Sequence, residues 1–373
     1  MKRYNLKNYN FALVFFSILL SVYGVVVIGS AKASVQSRQI VGLVIGIVVM
    51  LGLSFINYAF VLQFYWLLYG VNIVLLLAVM FFGDDSKGAQ RWIELAGIRF
   101  QPSELAKILL ILFFAQFIMK HREKINNYSV LFRLILFLLP PLFLVLKQPD
   151  LSTTILIFVV FCVMLFIGGL SSRIILTVLA VVVPLTVITL VMVIQPDQKI
   201  IKDYQQTRIL AWLQPDKYSN TEGYQQQNSI TAIGSGQLKG KGYRNNEVGS
   251  VKNGNFISEP QTDFIFAIIG EELGFIGCVA VIVLEAVIVA LILAVGRMAK
   301  DLAGTLICAG VAANIGFQSF MNIAVTTGLM PNTGIPLPFV SYGSTSMVSL
   351  FIGIGMVLNV ALQPIDIRDM RQL

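Results

Sequence analysis

Four short stretches of this sequence place carboxylates and ammonium groups where an apolar run meets a polar one, and each could do chemistry or merely shape a helix end. The first, Glu259-Pro-Gln-Thr-Asp263-Phe-Ile-Phe, closes a long polar stretch and opens an apolar helix. Asp263 could accept the first turn's N–H groups as a cap, or take a proton from a substrate hydroxyl as a general base. The second, Gln101-Pro102-Ser103-Glu104-Leu-Ala-Lys107, starts another apolar run with Pro near the helix start and Glu104 and Lys107 at i, i+3 on one face. An ionisable side chain in a membrane helix costs about 2.5–3.5 kcal/mol at mid-bilayer, so this pair either anchors helix depth at the interface or faces a wet, protein-lined interior. In Lys147-Gln-Pro-Asp150-Leu-Ser-Thr-Thr a very short turn joins two apolar runs, and Asp150 can cap the second or orient a ligand. Finally, Ala232-Ile-Gly-Ser-Gly-Gln-Leu-Lys239-Gly-Lys241-Gly242 alternates glycines with two lysines. That pattern can bring N–H and ammonium groups to a phosphate, and it also occurs in ordinary solvated turns.

The elements that must position these groups are membrane helices. Of 373 residues 57% are hydrophobic and 12% charged, with a mean hydropathy of +0.81, more apolar surface than a soluble domain can cover. A span needs roughly 20 mainly apolar residues to cross a ~30 Å hydrocarbon core. Ten runs approach that length, at 11–29, 40–56, 64–82, 103–119, 131–147, 151–169, 173–194, 264–296, 302–328 and 341–362. The sequence therefore predicts an all-α polytopic membrane protein of about ten transmembrane helices, a single integral membrane domain over 1–373. The run 40–56 is slightly short and 264–296 is long, which suggests projection beyond the bilayer or strong tilt for the latter. The first run follows Lys2, Arg3 and Lys7 as a signal peptide would, but it is long and lacks a small-residue cleavage site, so it reads as a retained helix.

Two breaks in the pattern stand out. Segment 195–263 is long and polar, with Trp212, Tyr218, Tyr224 and Ile230 at intervals that favour partly ordered structure lying on a surface. Segment 331–346, Pro331-Asn-Thr-Gly-Ile-Pro-Leu-Pro-Phe-Val-Ser341-Tyr342-Gly-Ser-Thr-Ser346, is too apolar for an exposed loop and reads as a re-entrant stretch lining a cavity. Asn314, Gln318 and Asn322 form one polar stripe along the ninth run, most simply interhelical packing contacts.

Short loops rich in Lys and Arg stay cytoplasmic. With the N-terminus inside, the inner segments hold Lys2, Arg3, Lys7, Lys120, Arg122, Lys124, Arg173, Arg297, Lys300, Arg368 and Arg371, and the short outer loops only Lys32, Arg38, Lys87, Arg91 and Arg99. Both termini are thus expected in the cytoplasm of a bacterial inner membrane protein, with 195–263 outside. These loops account for much of the net charge of +8, which needs no nucleic-acid partner. Cys162, Cys278 and Cys308 all fall within runs, spaced for neither disulfides nor zinc. The single histidine, His121, reads as a solvated inner-loop residue, so chemistry outside proceeds without histidine.

This topology gathers Glu104, Lys107, Asp150, Asp263, the Gly/Lys stretch and the 331–346 segment at the outer side, as a charged cleft open to lipid and water. At these residues the chain closely resembles the SEDS family (shape, elongation, division and sporulation), in particular its RodA-type members. The resemblance runs in order through Gly88-Ala-Gln-Arg91-Trp92-Ile, Gln101-Pro-Ser-Glu104-Leu-Ala-Lys107, Gln148-Pro-Asp150-Leu-Ser-Thr, Ala232-Ile-Gly-Ser-Gly, Gly240-Lys-Gly242, Thr262-Asp263-Phe-Ile-Phe, Glu271-Glu272-Leu-Gly274 and Pro336-Leu-Pro-Phe-Val-Ser-Tyr-Gly343. Two positions depart from the family pattern, Gln237 and Ser344, each where a glycine is usual.

The resemblance implies a ten-helix peptidoglycan glycosyltransferase that polymerises lipid II, works with a class B penicillin-binding protein among the cell-wall elongation machinery, and uses Asp263 as its catalytic carboxylate. Making a β-1,4 link from an α-linked sugar diphosphate inverts the anomeric carbon, and Asp263 would take the acceptor hydroxyl's proton as undecaprenyl pyrophosphate departs. Lys107, Arg91, Lys239 and Lys241 are candidates to meet the charge that develops on the pyrophosphate. Glu104 would orient Lys107, while Asp150, Ser341 and Tyr342 would help hold substrate. A divalent cation, Mg or Mn, could share the pyrophosphate charge. Two other classes remain: a lipid II flippase, for which Glu271 and Glu272 are the favourable features, and a non-catalytic scaffold for a synthase.

Overall fold

The computed structural model describes residues 6–86, 89–95, 98–193, 195, 203–218, 223–245, 249–250, 254 and 256–363. Lys2, Arg3, Lys87, Gly88, Arg368 and Arg371, named above, and parts of 195–263 lie outside that set. The chain runs through α1 (Phe11–Ala31), α2 (Ala33–Ser54), the short α3 (Tyr58–Gln63) and α4 (Tyr65–Phe82), then a three-stranded antiparallel sheet of β1 (Asp84–Ser86), β2 (Ala89–Leu95) and β3 (Ile98–Phe100). It continues through α5 (Pro102–Lys120), α6 (Tyr128–Lys147), α7 (Leu151–Ile167), α8 (Ser172–Val193), α9 (Asp203–Leu213), α10 (Tyr224–Ser235), α11 (Ile265–Arg297), α12 (Leu302–Thr326) and α13 (Ser344–Ala361).

Each of the ten predicted spans has its helix: α1, α2, α4 to α8 and α11 to α13. Among the described residues, eight of these are long and apolar enough to cross a membrane, and α7 is a shorter apolar helix. The protein is a multi-pass membrane protein. Local chemistry sets the helix starts. Asn10, Asp150 and Asp301 cap α1, α7 and α12 by accepting from the N–H groups of Leu13, Thr153 and Gly304, and Pro102 sits in the first turn of α5, where its missing N–H costs nothing.

Two boundaries differ from the sequence expectation. The second span starts at Ala33, because Gln36 and Gln39 find protein partners within the helical bundle and so do not end the helix. The 33-residue α11 is divided by a break: at Gly274 the backbone turns to φ 66°, ψ −162°. Loop 236–242 is sewn into the break. Phe275 N and Ile276 N donate to the carbonyls of Gln237 and Leu238, while Lys241 N and Gly242 N donate to those of Glu271 and Glu272. A Cβ on Gly274 would strike the backbone of Leu238 and Gly240, so a glycine is required there.

Most of α5 and α12 is enclosed, 83% and 78% of their apolar stretches, against 22% for α4, so these two helices are the posts on which the site is built. The outward faces carry exposed Phe15, Val48, Val74, Phe132 and Phe143, as lipid-facing positions should. The sheet, α9, α10 and the α12–α13 connection all lie at one end of the bundle. Thr345 Oγ1 bonds Arg99 O, Trp212 Nε1 bonds Gly328 O, and Gln226 Nε2 bonds Val325 O and Met330 O. The expected surface-lying order in 195–263 is therefore present as α9 and α10. At the opposite end His121 is half-buried rather than solvated, its ring stacked on Phe117 at 4.4 Å between centroids.

Candidate active site

The site is built around non-helical backbone between α12 and α13. Ile335, Leu337, Phe339 and Val340 are buried, so the peptide groups of this segment must find partners inside the protein. Gln318 Nε2 donates to Pro336 O at 2.9 Å and Asn322 Nδ2 to Ile335 O at 2.7 Å. Gln39 bonds Ser341 O at 3.2 Å and accepts from Gly343 N at 3.0 Å. Gln318 and Asn322 of the α12 stripe therefore do more than pack between helices: they carry the re-entrant segment that the sequence anticipated.

Ser341 and Tyr342 tie that segment to the residues just before α11. The Ser341 hydroxyl donates to Thr262 O at 2.6 Å and accepts from Leu337 N at 2.7 Å, and Tyr342 N donates to Gln261 O at 2.9 Å. In this conformation both residues act as braces, with the serine hydroxyl already engaged.

Asp263 lies within this clamp. Its carbonyl accepts from Asn322 Nδ2 at 2.8 Å. Its carboxylate faces Gly334, where an added Cβ would stand 3.3 Å from Oδ2; with φ +69° there, glycine lets the backbone pass the carboxylate closely. The helix N-cap falls on Phe264 and carries no side-chain bond, so Asp263 sits one residue before the cap position.

Glu104 and Lys107 form an ion pair of 2.9 Å, with each side chain 3% exposed. The pair is enclosed by protein and is not an interfacial anchor. Lys107 also donates to Gln318 Oε1 at 2.7 Å, and Glu104 Oε2 accepts from Ser346 Oγ at 2.7 Å. Two of the three ammonium donors are thus committed. Below Lys107, α5 and α7 face one another through Leu110, Ile111, Phe114, Ile157, Val160, Phe161 and Met164, with only a small apolar gap between them.

The remaining candidates fall in two groups. Arg91 bonds the carbonyls of Gln148 and Pro149, which fastens β2 to the α6–α7 turn, and Asp150 realises the cap of α7, accepting from Thr153 N at 3.1 Å. Ser152, in the first turn of α7, bonds Thr333 O, so this cluster adjoins the same segment. Lys241 instead pairs with Glu271 at 3.0 Å, and Lys239 is exposed on the same loop. Glu272 accepts from Ser30 Oγ at 2.6 Å and from Arg244 N at 3.3 Å. The structure brings Glu104, Lys107, Asp263, Ser341 and Tyr342 together through α12 and leaves Lys239 and Lys241 at the Gly274 break.

Gln39 and Ser346 escaped sequence reasoning. Gln39 sits in a polar patch that looked like loop, and Ser346 is one of several hydroxyls in its segment; neither has a spacing signal. Glu285, also missed, is a buried carboxyl further along α11 that meets Ser319, the neighbour of Gln318 on α12. Among the described residues no group of three or more His, Cys, Asp or Glu side chains is placed to hold a metal ion.

Comparison with known proteins places this arrangement. Residues 4–364 match the family model described as cell cycle protein, FtsW/RodA/SpoVE. The peptidoglycan glycosyltransferase MrdB of Escherichia coli is 34% identical over 92% of this chain and 90% of its own length. A probable peptidoglycan glycosyltransferase FtsW of Geobacter metallireducens is 32% identical over 95% of each. Among solved structures, a chain from a peptidoglycan synthase complex that coordinates polymerization and crosslinking superposes with a TM-score of 0.76 at 29% identity, covering 98% of this chain and 99% of that one. The rod shape determining protein RodA of Thermus thermophilus superposes at 0.68 with 27% identity, covering 95% and 96%. The chain belongs to the FtsW/RodA/SpoVE family, and it is a peptidoglycan glycosyltransferase.

Proposed function

We propose that this glycosyltransferase polymerises lipid II into β-1,4 glycan on the outer face of the bacterial cytoplasmic membrane, both termini being cytoplasmic, with Asp263 as general base. The observation that carries the reading is the convergence on α12 of one carboxylate-bearing residue and one buried ammonium group beside a segment of non-helical backbone. Asp263 takes the proton of the acceptor hydroxyl as that oxygen bonds to the anomeric carbon. The carbon–oxygen bond to the pyrophosphate breaks, and its electron pair leaves with undecaprenyl pyrophosphate. Lys107, held by Glu104 and Gln318, meets the charge gained by the leaving group. The lipid tail lies between helices in this reading, so the substrate need not leave the bilayer. Arg91 and Asp150 serve by holding the α6–α7 turn beside the site, and Lys241 by holding loop 236–242 to α11. A Mg or Mn ion would draw most of its ligands from the pyrophosphate itself, with a site carboxylate adding at most one or two.

The likeness to a chain from a complex that couples polymerization to crosslinking supports a class B penicillin-binding protein as partner. So does the chemistry, because glycan strands must be cross-linked to bear load. The two residues most favourable to transport, Glu271 and Glu272, are tied to Lys241, Ser30 and Arg244, which speaks for a fastening role instead.

The test is polymer formation from purified lipid II, with and without the cognate penicillin-binding protein, by wild type and Asp263→Asn. Loss of about 10²–10⁴-fold in a folded, partner-binding variant is expected, the range of general-base catalysis. An equal rate in the variant would reject Asp263 as base, and an inactive wild type even with its partner would point to a scaffold.

A further inference from the structure

Gln318 and Asn322 lie one turn apart on α12, about 6 Å along its axis. Gln318 accepts from Lys107 Nζ at 2.7 Å and donates to Pro336 O at 2.9 Å. Asn322 donates from a single amide nitrogen to Asp263 O at 2.8 Å and to Ile335 O at 2.7 Å. One helical turn thus grips the helix bearing the cation, the residue bearing the carboxylate, and two consecutive carbonyls of the segment between α12 and α13. Both amides are buried, 0% and 1% exposed. Asn322 keeps its place although its Oδ1 has no hydrogen-bond partner among the described residues, a penalty that an apolar side chain would avoid. Packing therefore does not account for an amide at this position, whereas its donor bonds do.

We propose that Gln318 and Asn322 are positioning residues that set the separation of Lys107 and Asp263, so that base and cation address one substrate at once. The inference rests on the catalytic reading of Asp263 and Lys107. Its physical basis is that a reacting group displaced by about 1 Å, even by a change away from the chemistry, can lose about 10²-fold in rate. Substrate binding, spread over a lipid and a disaccharide, is far less sensitive to that displacement.

The variants Asn322→Leu and Gln318→Met are near in size to the native residues and remove the donor bonds. Asn314→Leu is the control: Asn314 is a buried member of the same stripe, is 1% exposed and leaves Oδ1 without a partner. It touches neither charged residue by any hydrogen bond among the described residues. Full-length proteins would be assayed with their synthase partner for initial rates against lipid II concentration, alongside thermal melting. For Asn322→Leu and Gln318→Met the expected result is a fall in kcat of about tenfold to 10²-fold with KM within about threefold, at near-native melting temperature, while Asn314→Leu keeps the wild-type rate. Unchanged kcat in both variants overturns the proposal. So does a rise in KM at constant kcat, which would make the amides substrate ligands, or an equal loss in Asn314→Leu, which would make the effect general packing. If Asn322→Leu fails to fold, Gln318→Met decides. Asp263→Asn measured in parallel separates the two claims: an active Asp263→Asn rejects the catalytic reading itself, whereas an inactive one beside active amide variants rejects only the positioning.

Discussion

The two ends of the half-helix that opens α11 are held by opposite means. At its start Asp263 is flanked by side-chain braces from Asn322 and Ser341 and by the close backbone of Gly334; the braces grip carbonyls, and the carboxylate faces the segment. At its other end, the Gly274 break, the backbone of loop 236–242 is sewn into the helix and the charges are spent on one another, Lys241 on Glu271. Glycines and a carboxylate thus occur at both ends, within the candidate site at one and within a fastener at the other. The Asp263 carboxylate lies against the backbone of Gly334, whereas that of Glu271 pairs with Lys241.

That contrast can be broken first at the fastener. Gly274→Ala should prevent a stable fold, because a Cβ meets main chain and φ 66° is itself costly for an L-residue; the loss should exceed about 2 kcal/mol and appear as a failure to accumulate in the membrane. Next comes the buried cation. Lys107→Met should cut the polymerisation rate by about 10²–10³-fold and also lower the melting temperature, since Glu104 is left buried without its cation. Adding Glu104→Gln to it should restore much of the melting temperature and none of the rate, which distinguishes charge at the site from support of the fold.

A smaller effect is expected at the other pair. Lys241→Met should change kcat by less than about threefold while lowering stability by about 1–3 kcal/mol, because Glu271 loses its contact with a partly exposed lysine. A large fall in rate without a fall in stability would instead return Lys241 to the substrate. The mildest change sharpens the loop itself. Gln237 has φ 48°, a left-handed conformation in which a glycine is at ease, and this is one of the two positions where the chain departs from the family pattern. Gln237→Gly should raise stability by up to about 1 kcal/mol, seen in thermal melting, with the rate unchanged. Ser344, the other departure, opens α13 with no positive φ, and its substitution by glycine should bring no such gain.

Much of the fold was legible because a lipid solvent leaves few choices. A spanning segment must be an apolar helix, so the ten runs and their order followed from hydropathy, and the apolar, proline-rich character of 331–346 announced buried irregular backbone. Asp263, Glu104 and Lys107 were legible as charges at the ends of apolar runs. Gln39 was not, because a lone glutamine near a helix start looks the same whether it meets water or a serine carbonyl. Lys107 and Lys241 were equivalent candidates in sequence, each a lysine near a glutamate or a glycine turn, and only three-dimensional neighbours separated the one tied to the α12 stripe from the one tied to Glu271.

The sequence by itself determined that the chain lives in a bilayer, that it does so as a succession of apolar helices, and which charges could not sit in lipid without a reason, since composition and run length answer directly to the transfer of side chains and peptide groups out of water. Tertiary structure alone decided which of those charges lie together, where the long eleventh helix breaks, and that two amides of α12 connect Asp263 and Lys107. Those outcomes depend on contacts between residues far apart in the chain, such as Lys107 with Gln318 and Asp263 with Asn322, and no local periodicity encodes a hydrogen bond between helices.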